Sequence, residues 1–127
     1  MQIDETIDAI ELYYAQGWTD GLPVVPPTVE KVRAMVERSG RAAQEVVAEL
    51  PPQGGKATVE RIATNAVMAG CLPEYMPVVL AAIEAMLETR FNLRGVLCST
   101  HVSTPLLILN GPIVQALNVN SGHNVFG

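Results

Sequence analysis

A chain of 127 residues amounts to one domain, long enough to bury a core without disulfides or metal. Its net charge of −5 and pI near 4.9 leave no basic stripe that could release counterions, so nucleic acid is excluded as a partner. The hydrophobic fraction of 49% and positive mean hydropathy are high for a free-standing soluble monomer, which predicts that some of this surface meets another chain.

In chain order, Ile3, Ile7, Ile10, Leu12 and Tyr14, interleaved with Asp4, Glu5, Asp8 and Glu11, predict a first helix ending at Gly17. Trp18 to Thr28 is too proline-rich to be helical, because each residue before a proline is pushed towards extended geometry. Thr28 opens a second amphipathic helix, with Val29, Val32 and Val36 expected inward and Ser39-Gly40 as its stop. Val46 to Leu50 reads as a short strand, followed by Pro51-Pro52 and a Gln53-Gly54-Gly55-Lys56 turn that lacks the frame of a phosphate loop.

Thr58 to Glu88 is the longest apolar and best punctuated stretch. It predicts two helices folded back on each other at Gly70-Cys71-Leu72-Pro73, the second beginning in earnest near Tyr75 because Pro77 must lie close to its start. Gly95 to Ser99 and Pro105 to Leu109 are expected to be strands, the latter buried on both faces. Asn110-Gly111 then leads into a short helix over Pro112 to Leu117, a strand-to-helix junction of the kind at which open α/β sheets bind ligands. The polar tail Asn118 to Gly127 looks like a fold interrupted midway.

The expected architecture is therefore α/β, with α+β as the alternative: a helical hairpin packed on a small sheet, preceded by an extended proline-rich segment. A single domain spanning 1–127 is expected to be completed by a partner chain or by further copies. Two cysteines far apart, no run near ~18 apolar residues and no signal-like Met1 to Glu5 point to a cytoplasmic protein that engages no membrane.

Three residues are candidates for catalysis. Cys71 precedes a helix start, where the dipole favours a thiolate, although a small buried residue packing a tight turn is the plainer account. Glu74 follows it as a possible acid or base, or simply as good first-turn chemistry. His123, set among amides and a glycine, could exchange protons near neutrality or merely be solvated. Candidate substrate-binding residues are Asp20 in the Trp18-Thr19-Asp20-Gly21 turn, Tyr75, His101, Asn110, Asn120, Ser121 and Asn124. Cys71, Cys98, His101 and His123 match no metal-ligand spacing, so no metal site is expected, and the identity of any cofactor is left open.

The runs GWTDGLPVVPPT (Gly17 to Thr28), AVMAGCLPEYMP (Ala66 to Pro77), FNLRG (Phe91 to Gly95), NGP (Asn110 to Pro112) and NSGHNVFG (Asn120 to Gly127) together resemble a bacterial family of poorly defined function. That family is associated with UGSC-type selenoproteins, and its members are also called thioredoxin-like. The resemblance covers nearly the whole chain and implies that it corresponds to the first part of a longer module, fused to or neighbouring a domain with a U/C-G-S-C motif. No such motif occurs here, and Val125 stands where the family more often has cysteine. Cys71 matches the family's AGC position and Cys98 has no counterpart.

Two functions remain open on this reading. The first is a subunit or part of an enzyme acting on a small polar substrate, with thiol or redox chemistry of oxidoreductase or lyase type. Its site would lie where the AGC turn, the NGP junction and the NSGHN loop converge. The alternative is a non-catalytic partner module of a homo- or hetero-oligomer.

Overall fold

The structure, a computed structural model, describes residues 3–50 and 53–123. Its elements run α1 (Ile3–Ala15), α2 (Val29–Ser39), β1 (Val46–Leu50), β2 (Gly55–Thr58), α3 (Val59–Met68), α4 (Met76–Leu87), α5 (Leu93–Leu97) and α6 (Pro112–Ala116). Single 3-10 turns at Pro73–Tyr75 and Thr89–Phe91 precede α4 and α5. The chain is thus a mixed α/β fold in which a helical hairpin packs on a small two-stranded antiparallel sheet.

Threonine caps set two of the helix starts. The Thr28 hydroxyl accepts from the Lys31 N–H at 3.4 Å, and the Thr58 hydroxyl from the Arg61 N–H at 3.3 Å, each satisfying one of the donors a helix start leaves free. The ends share a second device. After α3, Gly70 takes φ +85° and donates to Val67, while Cys71 donates to Ala66. That pair of bonds is a Schellman motif, with glycine in the left-handed position and an apolar residue next. Gly17-Trp18 repeats it after α1, where the Trp18 ring packs 5.3 Å from Tyr13. Asn118-Val119 repeats it after α6, with Asn118 in place of glycine at φ 50°.

The core is built by α2, the sheet, α3 and α4. Met35, Val59, Ala63 and Met76 are wholly buried, with Ala57, Ile62, Ala66, Val67 and Leu80 around them. The inward residue of α2 is Met35; the predicted Val29 is 68% exposed, while Val32 and Val36 are only partly covered. The three valines line a shallow cavity shared with Glu60 and Thr64 of α3, and Val32 and Val36 pack against the edge of the core that Met35 enters. The proline-rich segment crosses the end of α3, pinned by the Val25 N–H donating to the Met68 carbonyl at 3.0 Å. Arg41 ties the entry of the sheet to α4 through ion pairs to Glu45 and Glu84 at 2.7 and 2.6 Å.

Four further expectations are overturned. Gly55-Lys56 belongs to a strand, β2, which pairs with β1 from Leu50↔Gly55 to Val46↔Thr58; the turn is confined to fewer residues than its glycines imply. Gly95 to Ser99 is not a strand, since Leu93–Leu97 is a helical turn. Asn92 precedes that turn with φ 52°, and its side chain lies where a Cβ on residue 95 would be, so glycine there serves close approach. Pro105 to Leu109, expected to be buried on both faces, joins no described ladder: Leu106, Leu107 and Ile108 are 72, 55 and 75% exposed. The helix after it does form, but without a sheet beside it the NGP junction is not a strand-edge ligand crevice.

Candidate functional site

An open groove of about 630 Å³ lies between α3 and α4, with Leu50 and Gly55 of the hairpin also in its lining. Ala57, Ala66 and Ala69 lie along it where larger residues would fill it, while Ile62, Val79 and Ile83 supply aliphatic walls.

Cys71 faces this groove and also lines a second cavity of about 430 Å³ beside Val25 and Met35. Its thiol is free and half-buried, packed against the core cluster. Its backbone is committed to the Schellman turn, so the AGC sequence has a full structural account: Gly for the left-handed residue, a small apolar side chain directly after it. Two of the polar side chains at the rim are engaged with backbone. The Arg61 guanidinium donates to the Lys56 carbonyl at 3.0 Å, and the Asn65 amide to the Arg61 carbonyl at 2.8 Å. What remains inside is aliphatic.

The other sequence candidates lie elsewhere. Glu74 is exposed on the 3-10 turn and Tyr75 is half-buried at its end. The Asp20 carboxylate accepts from the Leu22 N–H at 3.3 Å, and Thr19 bridges the same loop to the Leu22 carbonyl, so this turn is self-contained. His101 is exposed, its backbone N–H donating to the Ser99 hydroxyl. Asn110 is exposed before Gly111, whose φ of +93° makes the bend into α6. Asn120 accepts from the Gly122 N–H through its side chain, and Ser121 and His123 are exposed. Asn124 and Val125 lie outside the described residues.

Of the nine candidates among the described residues, only Cys71 lines either of these two cavities. Among the described residues, no hydrogen bond joins it to Asn110, His101 or His123, and α6 packs broadly on no other element. No group of three or more His, Cys, Asp or Glu that could hold a metal ion occurs among them. Nor is any helix long and apolar enough to cross a membrane.

The groove itself was not foreseen from the sequence. Its lining residues read as ordinary core positions of two amphipathic helices; the only signal was the excess of alanine along one side. The most unusual surface lies beyond it. After Arg94 the chain contains no Asp, Glu, Lys or Arg. Residues 104–110 make no backbone hydrogen bond with other described residues, and Leu97, Val102 and Leu106 to Leu109 are all exposed. Comparison of the chain with family models, curated proteins and solved structures finds no match.

Proposed function

We propose that this chain is an assembly module whose compact α2–α4 body displays a C-terminal apolar arm for docking, with no catalytic step of its own. The arm carries the reading. An uncharged stretch with Leu106, Leu107, Ile108 and Leu109 side by side, exposed on both sides, has the composition of a central strand covered on both faces. Its unpaired backbone would find donors and acceptors at a sheet edge, the mode by which extended segments add to sheets.

Magnitudes favour a reciprocal arrangement. Burying four aliphatic side chains contributes about 6–12 kcal/mol at ~1.5–3 kcal/mol each, close to the ~4–15 kcal/mol cost of association. One arm is therefore marginal; two arms exchanged by a symmetric pair exceed the cost. Light scattering across a concentration series tests this. The expected result is a species of twice the chain mass that dissociates when Ile108→Asp places a charge in the arm; a monomer at every concentration overturns the proposal.

A second reading, a thiol-dependent enzyme of the cytoplasm, is supported by one observation: Cys71 lines both cavities with its thiol free. The aliphatic lining fits an apolar substrate moiety better than a small polar molecule. Cys71→Ser discriminates between the two. Under the assembly reading it leaves the mass unchanged; under the enzyme reading it removes thiol labelling and activity together while folding persists.

A further inference from the structure

We infer that the groove between α3 and α4 is a binding site for a straight-chain alkyl carboxylate, its hydrocarbon tail between the helices and its head on Arg61 and Lys56. This goes beyond the assembly reading and does not depend on it, since the C-terminal arm takes no part.

The charges around the groove select the ligand. Acidic residues outnumber basic ones in the chain by 13 to 8, yet the charged residues in this lining are Lys56 and Arg61, with no Asp or Glu among the described residues. The two smaller cavities differ, each carrying one charge of either sign: Glu30 with Lys31, and Arg33 with Glu60. Arg41 is paired with Glu45 and Glu84, whereas neither Lys56 nor Arg61 is in an ion pair with a described residue. Glu49 stands opposite Lys56 in the β1–β2 ladder, but it is outside the lining and makes no ion pair with it.

The two cations lie together. The Arg61 guanidinium donates from Nη1 to the Lys56 carbonyl at 3.0 Å, which holds it against β2 and uses one of its five N–H donors. The donors that remain form a planar fork matching the two coplanar oxygens of a carboxylate. Beyond this end the helices offer aliphatic walls: Ile62, Ala66 and Ala69 from α3 and its end, Val79, Ile83 and Leu87 from α4. From residue 61 to residue 69 the helix rises about 12 Å at ~1.5 Å per residue, room for a tail rather than a methyl group. The groove's volume of about 630 Å³ lies within the ~300–1,000 Å³ of small-molecule sites. A wholly apolar ligand would leave both cations unused, and a small polar anion would leave the aliphatic walls in water.

Isothermal titration of the full chain with hexanoate, octanoate and decanoate, each below its micelle concentration, tests the assignment. Affinity is expected to rise about fourfold per added methylene. Decanol, with the same tail and no charge, is expected to bind about tenfold more weakly than decanoate at low salt, because it forgoes the charge-assisted hydrogen bonds. Equal affinity for the two shows that the head is not read and overturns the proposal, as does tighter binding of decylammonium or no binding at all.

Arg61→Gln separates head from tail. It is expected to weaken decanoate about tenfold while leaving decanol unchanged, so that the alcohol reports an intact groove. An unchanged affinity for decanoate, or equal losses for both ligands, overturns the head site. Ala69→Trp places an indole at an exposed position of the lining and is expected to weaken both ligands at least about tenfold. Undiminished binding to that variant puts the tail elsewhere and overturns the groove as its site.

Discussion

Residues 28–88 and residues 93–123 are both rich in aliphatic side chains, and both form helices, yet only the first region contains a buried residue. In the first, α2, α3 and α4 pack on one another and on the sheet, so that each apolar face has a neighbour. In the second, α5 and α6 are five residues each, too short to be stable alone and joined by a segment that pairs with nothing described. Apolar composition is therefore a demand for burial and not a guarantee of it. Whether the demand is met inside one chain depends on how many elements of sufficient length converge.

The sharpest test of that contrast is truncation of one side chain in each region. Met76→Ala is expected to destabilise the fold by about 2–5 kcal/mol, because a wholly buried side chain leaves a cavity between α4 and its neighbours. Leu107→Ala, made in dilute protein where the chain is monomeric, is expected to change the unfolding midpoint in urea by less than about 0.5 kcal/mol equivalent. Equal costs would mean that the arm is part of the core.

Next come the helix ends, where the first region's order originates. Gly70 holds φ +85° with only Val25 near its missing Cβ, so Gly70→Ala meets conformational strain rather than a clash. Chemical denaturation is expected to show a loss of roughly 1–2 kcal/mol. Removing the cap with Thr58→Ala is expected to cost about 0.5–2 kcal/mol, read in the same way. Hydrogen exchange should separate the regions directly: amides of α3 protected, those of 106–110 exchanging freely at low concentration and becoming protected as the protein is concentrated.

The smallest effect expected is electrostatic. The Arg41 guanidinium, hydrogen-bonded to the Glu45 carboxylate, holds the latter's pKa below the ordinary carboxylate value. The unfolded chain then binds more protons than the folded one in mild acid, so the pair's stabilisation is fully present above the unfolded carboxylate pKa. It is lost as pH falls through the lower, folded value. Glu45→Gln is expected to flatten the acid limb of the stability profile slightly, since the pair is solvent-exposed and screened. An unchanged profile would show the ion pair to be incidental.

The strand at Val46 to Leu50, the threonine caps, the bend at Gly70 and the short helix at Pro112 were legible from residue types alone, because each depends on a local conformational preference. Gly95 and the Gly54-Gly55 pair were misleading for the same reason. Glycine marks a special backbone position, but Asn92 against Gly95 and the β1–β2 ladder decide which. The site was less legible still. Cys71 was singled out for a reactive setting, and the structure supplies a Schellman turn and an apolar groove around it; the polar residues thought to join it are spread over exposed loops that line neither of its cavities.

The amino-acid order by itself determined where α2 and α3 begin and stop, since caps and left-handed residues act within a few positions of one another. Only the tertiary structure decided that Met35 rather than Val29 is buried, that Ala57, Ala66 and Ala69 come together along one groove, and that Leu106 to Leu109 stay uncovered. Periodicity reports that a face is apolar; the arrangement of distant elements determines whether anything lies against it.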